Sequence, residues 1–121
     1  MWASQWSPAG IDENQRSFMT EAAMIGSGTN YTAPATILTN FVTLMTSSGV
    51  PIYALSPQNE PDVQTWYPSA TWTPLQVREF VPYLHGAFQA VGVMDTKIMI
   101  AEQSTWGPRL QLCRDSFSYA S

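Results

Sequence analysis

The chain has 121 residues, 45% of them hydrophobic and 12% charged, which is typical of one folded globular unit and excludes a disordered tail. Nine acidic and five basic residues give a formal net charge of −4, so no basic patch can neutralise phosphates and we expect no nucleic-acid partner. No apolar run approaches the roughly 20 residues of a membrane-spanning helix. The single cysteine, Cys113, cannot form a disulfide within the chain.

The first 31 residues are irregular and polar, apart from Trp2-Ala3-Ser4, which fits the end of a strand. From Thr32 the apolar side chains recur at helical spacing, Pro34 lies in the first turn, and Gly49 supplies a stop signal. This pattern predicts a helix whose core-facing stripe consists of Ile37, Leu38, Phe41, Leu44 and Met45.

An almost wholly apolar segment, Val50–Leu55, follows this helix. It predicts a short strand buried on both faces, as strands of parallel sheets are. The next segment, residues 56–72, is long and rich in Pro, Asn, Asp, Tyr and Trp. Such a composition predicts a shaped connection between the strand and the next helix.

A second helix begins with the spacing of a capping box, Thr73 and Gln76, and with Pro74 at its first position. Apolar residues keep the helical period as far as Gly92, which supplies the stop. Because Pro82 lacks the N–H that an interior helical residue donates, we expect a kink or break there.

The segment Lys97–Glu102 predicts a second apolar strand, so helix and strand alternate along the chain. This alternation favours a parallel sheet in an α/β fold. No Gly-rich turn follows either strand, which argues against a dinucleotide-binding fold, whereas long polar segments after strands are typical of a (β/α)8 barrel. A complete barrel takes roughly 250 residues, so we expect residues 1–121 to form about three of its eight strands and to be unstable alone.

The pair Asn59-Glu60 follows the first predicted apolar strand. Cleavage of a glycosidic bond requires a carboxylic acid that protonates the leaving oxygen and a second carboxylate that attacks or activates water. The neighbouring carboxamide can bond a sugar hydroxyl and orient the ring. Since Asn, Asp and Pro are also the usual turn residues, the residue chemistry alone supports a catalytic segment and a plain polar turn equally.

Four stretches resemble glycoside hydrolase family 30, a family of barrel enzymes, in order and spacing. Ile52-Tyr53-Ala54-Leu55-Ser56-Pro57-Gln58-Asn59-Glu60-Pro61-Asp62 is similar to the family's acid/base strand. The end of the family's third strand is similar to Trp2-Ala3-Ser4-Gln5-Trp6-Ser7-Pro8. The entry to its fourth helix is similar to Ala70-Thr71-Trp72-Thr73-Pro74, and its fifth strand is similar to Lys97-Ile98-Met99-Ile100-Ala101-Glu102. The resemblance implies a partial (β/α)8 barrel with about strands 3 to 5.

Carried over by position, the resemblance implies that Glu60 is the general acid/base of a retaining enzyme. It also implies that Asn59 bonds the 2-hydroxyl of the sugar at the cleavage point and that Trp6 lines this subsite. No cofactor and no metal ion are implied. The family's nucleophile is a glutamate near the end of the seventh strand, which would lie beyond Ser121, so we expect this polypeptide alone to be inactive.

Several further side chains are candidates for the cleft. Glu102 ends the second predicted strand and on geometry could be the second carboxylate, but the resemblance makes it a cleft-lining or structural residue, and we favour this interpretation. The aromatic residues that follow the strands could stack on sugars or pack under the loops. We expect Trp66 and Trp72 to contact the cleft more readily than Trp106, and we expect His85, which lies off its helix's apolar stripe, to face solvent.

The resemblance implies a secreted, monomeric parent enzyme that cleaves a β-linked polysaccharide or oligosaccharide, with xylan or glucuronoxylan as the first expectation. Glucosylceramide and β-1,6-linked glucan or galactan are other substrates of the family. Ala9-Gly10 departs from the family pattern after Ser7-Pro8, which leaves the substrate open. A non-catalytic carbohydrate-binding protein and a degenerate barrel remnant are the alternatives from other classes, and strand–helix alternation argues against the former because such modules are mostly all-β.

Overall fold

The computed structural model describes residues 1–6, 31–63, 70–100, 102–105 and 114–115. Within these ranges strand and helix alternate in the order β1 (Trp2–Ser4), α1 (Thr32–Ser47), β2 (Ala54–Ser56), α2 (Pro74–Ala90) and β3 (Lys97–Ile98). The strands form one parallel sheet in the order β1-β2-β3. A parallel sheet with helical connections confirms the predicted α/β class.

The strands are shorter than the sequence predicted. β2 does not begin at Val50, although its ladder starts one residue before the strand, where the N–H of Tyr53 donates to the carbonyl of Met1 at 2.6 Å and the N–H of Lys97 donates to the carbonyl of Tyr53 at 2.8 Å. The side chain of Tyr53 is 68% exposed, so burial on both faces holds only for Ala54–Ser56. β3 is likewise limited to two residues.

Glycine ends both helices, as predicted. Gly49 has φ +85°, its N–H donates to the carbonyl of Thr46 at 3.0 Å, and the N–H of Val50 donates to the carbonyl of Met45 at 2.9 Å. This is a Schellman motif, in which a left-handed residue turns the chain back over the last helical carbonyls. Gly92, with φ +79°, closes α2 in the same way.

The capping box predicted for α2 is confirmed. Gln76 N–H donates to Oγ1 of Thr73 at 3.2 Å, and Thr73 N–H donates to Oε1 of Gln76 at 2.6 Å. The break expected at Pro82 is absent, since the helix continues to Ala90. Pro82 itself is exposed.

The core-facing stripe predicted for α1 is partly wrong. Ile37, Phe41 and Leu44 are 46%, 37% and 64% exposed and form an outward apolar row. The buried face is instead made of mostly smaller residues: Ala35, Leu38, Thr39 and Val42. Thr39 is buried without loss of its hydroxyl hydrogen bond, because Oγ1 donates to the carbonyl of Ala35 at 2.8 Å.

The core lies between β2 and the two helices, which contact each other. Its largest fully buried side chains include Phe80, Phe88, Leu55 and Leu84. Trp72 packs edge-on against Phe80 with ring centroids 5.1 Å apart, an arrangement worth about 0.5–1.5 kcal/mol beyond area burial. No helix in the described part of the chain is long and apolar enough to cross a membrane.

Two glycine substitutions should change the free energy of unfolding in opposite directions. An added Cβ meets no atom within 4 Å at Gly86 or at Gly92, so the sign depends on the backbone alone. Gly92→Ala forces alanine into a left-handed conformation and should destabilise the fold by about 1–2 kcal/mol. Gly86→Ala, inside α2, should stabilise it by about 0.5–1 kcal/mol.

Urea denaturation of a complete enzyme that carries this segment, followed by far-UV circular dichroism, measures both changes, with Gly86→Ala as the matched control for Gly92→Ala. Equal effects of the same sign would contradict the assigned backbone conformations.

Candidate active site

The carboxyl ends of the three strands bring the pair Asn59-Glu60 to one edge of the sheet. The N–H of Asn59 donates to the carbonyl of Gln5, which follows β1, at 2.8 Å. The N–H of Glu60 donates to the carbonyl of Glu102, which follows β3, at 2.8 Å. The two residues are therefore bonded to opposite neighbours of β2, and their backbone positions are fixed from both sides.

Glu60 has an unusual backbone conformation. Its φ is +45°, and among the described residues it is the one non-glycine residue with positive φ. Such a conformation costs roughly 1–2 kcal/mol for a residue with a Cβ. It is held by the bond from the Glu60 N–H to Glu102 and by the N–H of Val63, which donates to the carbonyl of Glu60 at 3.3 Å. Backbone strain that is maintained by the surrounding residues is often found at functional sites.

The side chain of Gln58 is hydrogen-bonded to the same segment. Its side chain is 4% exposed, and Nε2 donates to the carbonyl of Trp6 at 2.9 Å and to the carbonyl of Asn59 at 2.8 Å. The hydroxyl of Ser56 in turn donates to the carbonyl of Gln58 at 3.1 Å. Sequence reasoning treated Gln58 only as part of a motif, whereas the structure makes it the link between the segments that follow β1 and β2.

Glu102 reaches across the sheet edge to the first strand. Oε2 of Glu102 accepts a hydrogen bond from the hydroxyl of Ser4 at 2.6 Å, a length typical of a bond to a charged carboxylate. Ser4 ends β1 and Glu102 follows β3, so the bond passes over the end of β2. One residue thus holds Glu60 through its backbone carbonyl and holds β1 through its side chain.

Asp62 and Ser104 form a second link, which the sequence did not reveal. The carboxylate of Asp62 accepts from the N–H of Ser104 at 2.9 Å and from its hydroxyl at 3.1 Å. The two residues are 42 positions apart and follow β2 and β3 respectively. The spacing of a local motif could not have predicted this pair.

The aromatic candidates divide between the surface and the core. Trp6 is 54% exposed at the carboxyl edge, where a sugar could reach it, whereas Trp72 is 5% exposed. The prediction that Trp72 contacts the cleft is therefore corrected, because an indole packed against Phe80 presents no open face to a ligand. Trp66 and Trp106 lie outside the described residues. His85 is exposed, as expected.

Two kinds of polar group meet at this edge of the sheet, carboxylates and a carboxamide. Two carboxylates, Glu60 and Glu102, and one carboxamide, Asn59, lie on or beside the ends of neighbouring strands, and all three residues are partly buried. In the described part of the chain no group of three His, Cys, Asp or Glu side chains could hold a metal ion. The arrangement matches the acid and orienting groups that glycoside cleavage requires.

Comparison with known proteins points to the same chemistry. No protein-family model matches the chain. It is 35% identical over 95 residues to glucuronoxylanase XynC of Bacillus subtilis (strain 168), an alignment that covers 74% of this chain and 21% of that protein. The chain therefore spans about a fifth of the length of this curated relative.

Solved structures of xylanases from glycoside hydrolase family 30 also resemble this chain. Xyn30A, a glycoside hydrolase family 30 subfamily 8 xylanase from Clostridium acetobutylicum, is 36% identical with a TM-score of 0.51, covering 67% of this chain and 20% of that chain. The catalytic domain of GH30 xylanase C from Talaromyces cellulolyticus is 25% identical with a TM-score of 0.70, covering 87% and 26%. An endo-β1,6-glucanase, 24% identical with a TM-score of 0.56 over 74% of this chain and 22% of its own, shares the fold alone.

The fold and the site define an α/β segment related to glycoside hydrolases. The resemblance to glycoside hydrolase family 30 is confirmed, because the chain aligns with about a fifth of a curated glucuronoxylanase and with about a fifth to a quarter of two xylanases of that family.

The link between Asp62 and Ser104 should be measurable by hydrogen exchange. Asp62→Ala removes both acceptors, so the amide of Ser104 should exchange faster with solvent. Ser104→Ala is the matched control, because it removes the hydroxyl bond and leaves the amide bond in place. Protection of the residue 104 amide that is unchanged in Asp62→Ala would show that this carboxylate does not hold the loop after β3.

Proposed function

We propose that this chain carries the acid/base part of the active site of a retaining glycoside hydrolase that cleaves xylan or glucuronoxylan. The observation that carries the proposal is the pair Asn59-Glu60, bonded through its two backbone N–H groups to the segments that follow β1 and β3. Relatives named glucuronoxylanase and xylanase support the substrate class.

The proposal includes the architecture. Residues 1–121 would form about strands 3 to 5 of a (β/α)8 barrel, as one part of a single catalytic domain. The sequential parallel order of the sheet supports this, since a barrel wall adds each strand beside the previous one. The outward apolar row of Ile37, Phe41 and Leu44 also fits a helix in a closed ring, where helices have neighbours on both sides.

In the first step, the carboxylic acid of Glu60 would donate its proton to the glycosidic oxygen as the bond to the anomeric carbon breaks. A second carboxylate would attack this carbon from the opposite face and form a glycosyl-enzyme. Asn59 would bond the 2-hydroxyl, an interaction that strengthens as positive charge develops on the ring. The exposed indole of Trp6 would cover one side of the sugar subsite.

In the second step, the carboxylate of Glu60 would remove a proton from water, which attacks the anomeric carbon and restores the original configuration. The nucleophile would come from another strand of the barrel. Glu102 is a poor candidate for that role, because its Oε2 is engaged with the hydroxyl of Ser4 and its carbonyl holds Glu60. We assign Glu102 to positioning of the acid/base segment.

The cellular setting follows from the substrate. Xylan is too large to enter a cell intact, so the proposal places the enzyme outside the cell, acting as a monomer on a polysaccharide without a cofactor. Glucosylceramide and β-1,6-linked glucans have weaker support, since the glucanase neighbour shares only the fold. A carbohydrate-binding protein without catalysis is an outcome that the following experiment detects.

The acid/base role predicts a specific pattern of activity loss. The test uses a hybrid enzyme in which this chain replaces the aligned segment of the Bacillus subtilis glucuronoxylanase. Glu60→Gln keeps the shape of the side chain and removes the proton, so kcat on glucuronoxylan should fall by about 10²–10⁴ while KM changes little. An aryl xyloside with a good leaving group should be affected less in its bond-breaking step, because that oxygen needs little protonation.

The control is Asp95→Asn, which removes an exposed carboxylate just before β3, at the opposite edge of the sheet. It should leave both substrates unaffected. Unchanged hydrolysis of xylan by the Glu60→Gln hybrid would remove Glu60 from the mechanism. Binding of xylan by a hybrid that never cleaves any substrate would favour the non-catalytic alternative.

The positioning role of Glu102 is tested separately in the same hybrid. If Glu102 acts through its bond to Ser4, Ser4→Ala and Glu102→Gln should each lower kcat by less than about 100-fold, and both should keep activity on the aryl xyloside. If Glu102 is the nucleophile, Glu102→Gln should abolish turnover of both substrates while Ser4→Ala remains active. Assays of the two variants side by side decide between these roles.

A further inference from the structure

Two buried polar atoms belong to side chains that line one small cavity beneath the candidate acid/base segment. Within the described residues, Oε1 of Gln58 and Nε1 of Trp72 are buried and have no hydrogen-bond partner. Both side chains line the same cavity, with Ser56, Pro57 and Pro61 and with apolar residues of α2 and the segment after β3. Leaving a buried donor or acceptor unbonded costs about 1–3 kcal/mol. Two such atoms on side chains that line the same cavity therefore suggest a ligand that bonds both.

The orientation of the Gln58 amide is fixed by its other bonds. Nε2 donates to the carbonyls of Trp6 and Asn59 at 2.9 and 2.8 Å, and a flipped amide would place its oxygen against these two acceptors. The atom that remains for the cavity is therefore an acceptor. The indole Nε1–H of Trp72 is a donor only.

The ligand must therefore accept one hydrogen bond and donate another. A metal cation is excluded because it cannot accept from the indole N–H. An anion that carries no proton is excluded because it cannot donate to the amide oxygen of Gln58. The cavity holds about 10 Å³, which is the space of about one water molecule and too small for a sugar or an alcohol of several carbons.

A third partner is present on the wall. The hydroxyl of Ser56, a residue 1% exposed, donates to the carbonyl of Gln58 and keeps lone pairs that can accept. We propose that one structural water molecule binds in this cavity, accepting from Trp72 Nε1–H and donating to Gln58 Oε1 and Ser56 Oγ. Three hydrogen bonds are the usual number for a buried water.

This water connects three parts of the fold. Ser56 ends β2, Gln58 precedes the pair Asn59-Glu60, and Trp72 precedes the N-cap of α2. The water therefore joins the start of α2 to the underside of the acid/base segment. The inference rests on packing and hydrogen bonding alone and stands whether or not Glu60 is catalytic.

The direct test is a crystal structure of the hybrid enzyme at a resolution that shows ordered waters. We expect one water with a low B-factor within hydrogen-bond distance of both Trp72 Nε1 and Gln58 Oε1. A cavity without density, or an indole N–H bonded directly to a protein carbonyl or side chain, would overturn the proposal.

Solution NMR gives an independent readout on the same protein. With ¹⁵N-labelled tryptophan, the indole proton of Trp72 should exchange slowly and show a cross-relaxation peak to a long-lived water. A Trp72 indole proton without contact to a long-lived water contradicts the proposal.

A substitution tests the role of the donor. Replacing Trp72 with benzothienylalanine exchanges the N–H for sulfur and keeps the ring shape, so the packing against Phe80 is retained. We expect the water to lose occupancy and the Tm to fall by about 2–6 °C. Equal Tm values for the parent and the Trp72 variant, with the water in place, would show that the indole does not hold it.

Discussion

Parallel pairing of three short strands positions the groups that this chain would contribute to the proposed chemistry, because the carboxyl ends of parallel strands share one edge. The ladder is only two or three residues long, but hydrogen bonds continue beyond it, from Asn59 to Gln5 and from Glu60 to Glu102. A segment bonded to both neighbours cannot slide along one of them without losing its bond to the other. The register of the three strands therefore also fixes the backbone positions of Asn59 and Glu60.

Polar side chains reinforce this edge where the strands no longer pair. Gln58 links the segments after β1 and β2, Asp62 links those after β2 and β3, and the bond from Ser4 to Glu102 joins β1 to β3 over the end of β2. Gln58 is buried and Glu102 is partly buried, so a lost partner is costly at these two positions, whereas Asp62 is exposed and its link contributes less. The result is a rigid frame on which a proton donor can be held at a fixed place.

Much of the fold follows from local chemistry and could be predicted from the sequence. The caps at Thr73, Gly49 and Gly92 depend on residues within one turn, so their spacing is sufficient. Contacts between distant residues set the rest. The burial of Trp72 depends on its packing against Phe80, and the exposed row on α1 depends on the side that α2 packs against.

The left-handed backbone at Glu60 disfavours the carboxylic acid side chain that the proposed mechanism requires at this position. Glycine relieves this conformation and asparagine tolerates it, yet neither can donate a carboxylic proton. Thermal stability and the proposed turnover therefore favour different residues at this position. A laboratory evolution scheme that selects only for resistance to heat would favour the loss of the proposed proton donor, so activity must be screened in every round.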